Sequence, residues 1–420
     1  MIVDRSRAPQ FFRPERIIFP EPECIKLPSG SRFLSLNIGD QPVIKLEFIF
    51  RSGTWYESKP GIAFFTGKML VEGSQNFSSK QIAEKFEMFG AFVEINVGFD
   101  DVNLSIHIPS RHLDNLLEVI RDVLFFPTFP EQELEIMKKI QIQQLKVNQQ
   151  KNNFVAGRLF RSKLYQDTPY GHLITRACIN EINKEELKNH FETWMLARFE
   201  CFLTGDFDDT LKGKILNLID QNSNSLKELR IDLTALNTHF NIYEEVENSL
   251  QSSIFMGRKC LNRSDKNYPG MLLLNEIFGG YFGSRLMQNI RENKGYTYGI
   301  YSHIVALRNG AYFIINSEVK KENRDDTLNE IDKEIIKIKQ EPVGDEELRK
   351  VKNFLHGSMV NSLTSPFEII NKIKILYLYD LNMDFYDNLF DEIDNTDEVD
   401  ILRLANEILF DQKLSAVVVG

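Results

Sequence analysis

Arg291 and Tyr298, seven residues apart in "FGGYFGSRLMQNIRENKGYTYGIYS" (Phe278–Ser302), are the side chains best suited to chemistry. A guanidinium beside a phenol offers donors for a peptide carbonyl, or for the oxyanion that carbonyl becomes on attack. The segment puts Arg291 in the last turn of a helix that Gly295 ends, and Tyr298 just inside the next strand, so the two can meet at one rim. Gly279, Gly280 and Gly283, between two helices, permit open backbone and the close approach of another chain. Spacing alone leaves a second reading open, in which Arg291 complements its own helix C-terminus, Tyr298 packs the sheet and the glycines make an ordinary turn.

Other chemistries are missing. Hydrolytic zinc sites use imidazoles and carboxylates that share a helix face, with a carboxylate to take the water proton. None of the seven histidines lies three or four residues from another, so neither H-E-x-x-H nor H-x-x-E-H occurs. "GIAFFTGKM" is no phosphate loop, because five residues separate Gly61 from Gly67 and Met69 stands where a magnesium-binding hydroxyl is needed. No G-x-S-x-G is present.

A length of 420 residues exceeds one ordinary core and implies two domains. The formal net charge of -10, with no long Lys/Arg run, argues against nucleic acid or an anionic membrane as partner. Four cysteines without a C-x-x-C pair fit a reducing compartment. The charged, proline-containing N-terminus is unlike a signal peptide and no apolar run would span a bilayer, so a cytoplasmic protein is expected.

The elements that must position these residues recur in order. "VIKLEFIFRSG" reads as a strand, and Pro60 opens a helix at "GIAFFTGKML". Ser78 with Gln81 and Asn183 with Glu186 are spaced as capping boxes. "AFVEINVGFDDVNLSIHIP" alternates as a hairpin turning near Phe99-Asp100-Asp101, and two helices joined by "PTFP" follow. In the second half come "SSIFMGRKC" as a strand, two helices, a hairpin turning at Asn309-Gly310, and two helices joined by "EPVG". This repetition predicts an α+β protein of two tandem homologous domains, each a mostly antiparallel sheet covered by helices, arranged as a clamshell with its working surface between the halves. The expected division is an N-terminal domain at 1–222, a linker at 223–248 and a C-terminal domain at 249–420.

These features resemble the insulinase/pitrilysin superfamily, in its mitochondrial processing peptidase-like branch. The second half is similar to that family's glycine-rich segment followed by R-E-x-x-G-x-x-Y. "GTWYESKPGIAFFTGKMLVEGS" is similar to the segment that ordinarily reads G-[IL]-A-H-x-x-E-H-M. Aligned on Gly61-Ile62-Ala63 and Met69, the family's first histidine falls at Phe64, its glutamate at Gly67 and its second histidine at Lys68. Its distal glutamate falls at Gln144, with Gln143 and Leu145 one register away. Glu94 stands where many active members carry an asparagine on a substrate-binding strand.

The resemblance implies that this chain binds no zinc or other cofactor at these degenerate positions. It implies a heterodimer in which a zinc-bearing homologous subunit hydrolyses a peptide or unfolded polypeptide. Arg291 and Tyr298 would act on the substrate carbonyl in trans, and Gly279, Gly280 and Gly283 would contact substrate. The other expectation is a purely structural subunit, like the core subunits of the respiratory cytochrome complex that share the fold without proteolysis.

Overall fold

Runs of β-branched and aromatic residues build two sheets. The first contains β1 (Glu23–Lys26), β2 (Arg32–Asn37), β3 (Val43–Phe50), β4 (Phe92–Val97), β5 (Val102–Pro109) and β6 (Phe199–Gly205), in the order β1-β2-β6-β3-β5-β4. The second contains β7 (Asn241–Glu244), β8 (Gln251–Lys259), β9 (Thr297–Leu307), β10 (Gly310–Lys320) and β11 (Ser415–Val419), in the order β7-β11-β8-β10-β9. This computed structural model describes residues 18–166, 168–197, 199–220 and 239–420.

The duplication is visible in the pairing. With β1 set aside, the two orders match strand for strand, each has one parallel pair (β2–β6 and β7–β11), and all other neighbours are antiparallel. The match corrects one expectation. Residues 223–238 of the expected linker lie outside the described residues, but 241–244, assigned to the same linker, form β7. β7 stands before β8 as β2 stands before β3, and each pairs in parallel with the last strand of its unit.

The first-half helices include α1 (Ile62–Lys68), α2 (Ser79–Met88), α3 (Leu113–Phe125), α4 (Glu131–Asn148) and α5 (Asn152–Leu164). Both capping boxes form, at Ser78/Gln81 and at Asn183/Glu186. The second hairpin turns at Arg308-Asn309, one residue earlier than expected.

The halves trade helices across their seam. α5 leaves the first half to pack on β8 and β11, joining Ala156, Phe160 and Leu164 to Tyr312, Val417 and Val419. The helix Pro366–Leu378 leaves the second half to cover the first sheet, with Ile370 and Ile373 against Leu34, Ile49 and Phe202. On that helix Lys374 reaches the buried Glu47 carboxylate at 2.7 Å, beside Lys45 at 2.9 Å, and the two cations hold Glu47 down at about 2. This second cover explains why β3 and β6 are buried along nearly their whole length. Trp55 and Tyr170 fill the seam with Tyr165 and Tyr312, so the surface expected between the halves is packed core along this line.

Candidate functional site

α1 begins at Gly61, whose φ of 101° suits glycine alone. The buried Glu57 carboxylate accepts from the N–H groups of Gly61 (3.0 Å) and Ala63 (3.3 Å), meeting the positive end of the helix. Ile62, Ala63, Phe65 and Met69 are fully buried, so the helix has a packing role independent of any ligand.

The positions aligned with a metal site have been refilled. Phe64 lies edge-on to Phe65 at 5.4 Å and lines a groove of about 590 Å³ with Lys68, Phe86, Ile95 and Met137. At Gly67 a Cβ would lie 2.8 Å from Val97 Cγ2 and 3.0 Å from Val102 Cγ1, so the place of the family's carboxylate has no room for a side chain. The Lys68 ammonium donates to the carbonyl of Ile95.

That carbonyl is on the open edge of the sheet. Gly98 N–H bonds to Asp101 O at 2.8 Å, which fixes the alternation along the hairpin: Phe92, Glu94 and Asn96 turn their backbone groups toward β5, and Val93, Ile95 and Val97 turn theirs outward. Lys68 therefore caps an edge carbonyl that an added strand would have to meet.

On α4 the residue facing this groove is Gln141, with Met137 and Ile140. Gln144 is exposed and donates to Asn148 Oδ1 at 3.2 Å, Gln143 is exposed, and Leu145 is in the core. The inward row of α4 runs through Leu134, Lys138, Gln141 and Leu145, and Gln144 sits off that row. Glu94 is exposed on β4. The residues present do not fit a zinc ion, and among the described residues no group of three or more His, Cys, Asp or Glu could hold a metal.

The second half offers different chemistry. A helix through Met287–Asn293 carries Arg291 in its last turn, and Gly295 at φ 67° ends it. The Arg291 guanidinium lies 4.7 Å from the Phe282 ring and its Nε is 3.5 Å from Glu292 Oε1. Tyr298 follows on β9, where the register slips between Ser317 and Val319, so that Tyr298 and Gly299 together oppose Glu318. The bulge swings Tyr298 out of the ladder: it is 92% exposed and its hydroxyl has no hydrogen bond among the described residues. Arg291 and Tyr298 thus lie on consecutive elements, a helix end and the strand that follows it, without a hydrogen bond between them, and Arg291 turns to Phe282.

Among Gly279, Gly280 and Gly283, only Gly279 meets backbone of a distant element. Its Cβ would lie 2.5 Å from Ser302 Oγ and 2.9 Å from Ser302 N, where the helix crosses β9. At Gly280 the crowding comes from the Glu276 carboxyl, which burial pushes up to about 7, and at Gly283 from the Tyr281 ring. All three are therefore accounted for by approaches inside the chain.

Residues that sequence reasoning missed gather in front of Tyr298. A cleft of about 600 Å³ lies between the α4–α5 junction and the sheet, lined by Asn148, Lys151, Asn153, Tyr301 and Asn316 as well as Tyr298. No local motif marks them, because they come from both halves.

Two family models match the chain: "Insulinase (Peptidase family M16)" over residues 32–177 and "Peptidase M16 inactive domain" over residues 181–355. The chain is 22% identical over 308 residues to an uncharacterized zinc protease, YmxG, of Bacillus subtilis, spanning 73% of this chain and 75% of that one. It is 23% identical over 330 residues to the "Non-peptidase homolog YmxG" of Helicobacter pylori, spanning 76% and 75%. A shorter match, 27% over 121 residues, spans 28% of this chain and 23% of the mitochondrial-processing peptidase subunit alpha of Rattus norvegicus. In fold, it superposes on a peptidase M16 inactive domain from Pseudomonas fluorescens with a TM-score of 0.86 at 23% identity, covering 95% of this chain and 98% of that one.

Proposed function

We propose, from the premise that this chain belongs to the insulinase (M16) peptidase family, that it is a non-catalytic member that handles substrate for a zinc-bearing homologous subunit. The observation that carries this reading is the asymmetry between the halves. The first has Phe64, Gly67 and Lys68 packed or bonded where metal chemistry would need ligands, whereas the second keeps Arg291 and an unencumbered Tyr298 at an exposed edge. In a closed heterodimer Arg291 and Tyr298 donate to the scissile carbonyl of a peptide or unfolded polypeptide and to the oxyanion formed from it. The likeness to a processing-peptidase alpha subunit and to a relative named a non-peptidase supports this division of labour. A cytoplasmic setting belongs to the same reading, supported by four free cysteines. No helix among the described residues is long and apolar enough to cross a membrane.

The test pairs this chain with its metal-bearing homologue and measures peptide cleavage. An Arg291→Ala, Tyr298→Phe double variant is expected to assemble normally and to lose about 100-fold to 1000-fold in turnover, the typical cost of removing one oxyanion donor. Undiminished turnover favours the purely structural reading, whose support is that Arg291 already packs on Phe282 and the three glycines already serve internal contacts.

A further inference from the structure

We propose that the cleft in front of Tyr298 binds a short, extended and largely uncharged stretch of polypeptide, and that the first half of the same chain completes it. The proposal deepens the function proposed above and rests on it for the class of ligand.

The floor is the second sheet. Phe255, Asn316 and Tyr301 stand opposite one another on β8, β10 and β9, and so share one face in a single row. α5 covers this face further along, pressing so close that a Cβ on Gly157 would lie 3.1 Å from the Phe255 ring. Beyond the first turn of α5 the face is open toward the β9 edge, and the α4–α5 junction forms the opposite wall with Asn148, Lys151, Asn153 and Phe154.

The lining is suited to peptide groups. The side chains of Asn153, Gln251 and Asn316 make no hydrogen bond among the described residues. Asn148 Oδ1 accepts from Gln144 (3.2 Å) and Lys151 (3.3 Å), which leaves its own N–H groups unused. Carboxamides offer donors and acceptors together without charge, the complement of a backbone amide. Phe154, Phe255 and Tyr301 add aromatic surface for apolar side chains. Among the described residues the charged groups in the lining are Lys151 and Glu318, one of each sign, so neither a phosphate backbone nor a strongly acidic peptide finds a complementary field. The volume lies within the range of small-ligand sites, room for a short segment rather than a folded domain.

The experiment uses the full chain without partner and a fluorescein-labelled, unstructured dodecapeptide of Gly, Ser, Ala, Leu and Phe. Anisotropy should report saturable binding that weakens about tenfold in each of Asn153→Leu and Asn316→Leu. Asn153 is on the surface, so its variant tests the cleft even where Asn316→Leu disturbs the sheet. Hydrogen exchange should show peptide-dependent protection at residues 297–301 and 316–318. Absence of saturable binding, binding by both variants as tight as by the unaltered chain, or protection confined to other regions overturns the proposal. Intact binding with undiminished turnover in the Arg291, Tyr298 double variant would instead overturn only the role in trans.

Discussion

β4 and β9 hold the same place in two copies of one unit, at the free edge of a sheet beside a helix that crosses it, and the two copies treat that edge differently. On β4 the outward carbonyl of Ile95 is taken by Lys68, from the helix position aligned with a metal ligand. On β9 the outward groups are met by neutral partners, Ile300 N–H by Met287 Sδ at 3.4 Å and Ala306 O by the Tyr379 hydroxyl at 3.0 Å, and the bulge leaves Tyr298 clear of the ladder. Two copies of one unit can thus treat the same edge differently, one capping a carbonyl there and the other leaving a side chain exposed, because the core beneath each edge depends on different residues from those at the rim. The fully buried Phe65 and Met69 anchor α1 independently of what stands at 64 and 68.

The strongest attempt to break this contrast is to rebuild the metal motif in the first half. Phe64→His, Gly67→Glu and Lys68→His together are expected to yield no stoichiometric zinc by metal analysis and a markedly lowered melting temperature, since no side chain fits between Val97 and Val102. One equivalent of zinc in a fully folded triple variant would show that the first half is only chemically, not sterically, disabled.

Single alanines at the two crossing glycines sharpen the same comparison. Gly67→Ala and Gly279→Ala should each cost about 1–3 kcal/mol in chemical denaturation. Gly279→Ala is the costlier, because it meets backbone at Ser302 as well as a side-chain oxygen, whereas Gly67 meets side-chain methyls alone. The reverse ranking would mean that the β9 crossing is the looser of the two.

Where the compared hairpins touch, pH is the probe. Asp100 accepts from the Arg308 N–H at 2.9 Å and from the Tyr170 hydroxyl, while Asp101 is driven up to about 7 by burial and by Asp100, against the pull of Arg308 and Arg51. Because the folded state favours the protonated Asp101 carboxyl, its stabilising contribution is full below about pH 4, the unfolded value, and is lost as pH rises through about 7. Asp101→Asn should flatten that part of the stability profile by about 4 kcal/mol. An unchanged slope would place the titration elsewhere.

The smallest effect expected is at Lys68. Lys68→Met frees the Ile95 carbonyl at the cost of about 1 kcal/mol or less, and should speed amide exchange along β4 without altering β9. Unchanged exchange on β4 would mean that Lys68 does not seal that edge.

Much of this was legible in the sequence because it is local. Capping boxes at Ser78/Gln81 and Asn183/Glu186, the turn near Asp100 and the helix end at Gly295 are each set by residues within a few positions. Elements that depend on distant partners were not legible. β7 reads as polar linker until β11, more than 170 residues later, pairs with it. The cleft residues Asn153 and Asn316 carry no motif and become neighbours only because α5 crosses the seam.

From its residues alone this chain determined that there would be two copies of an α+β unit, that Phe64, Gly67 and Lys68 could not form a zinc site, and that Arg291 and Tyr298 would follow a helix end into a strand. Composition, periodicity and the donor atoms a side chain owns are properties of the chain itself. The tertiary structure decided that Gly67 has no space for a Cβ, that the Lys68 charge is spent on an edge carbonyl, that Gln141 and not Gln144 faces the old groove, and that Tyr298 opens onto a cleft built by both halves. Those outcomes depend on which distant surfaces are pressed together, and packing of that kind is settled only when the two sheets and their exchanged helices have closed on one another.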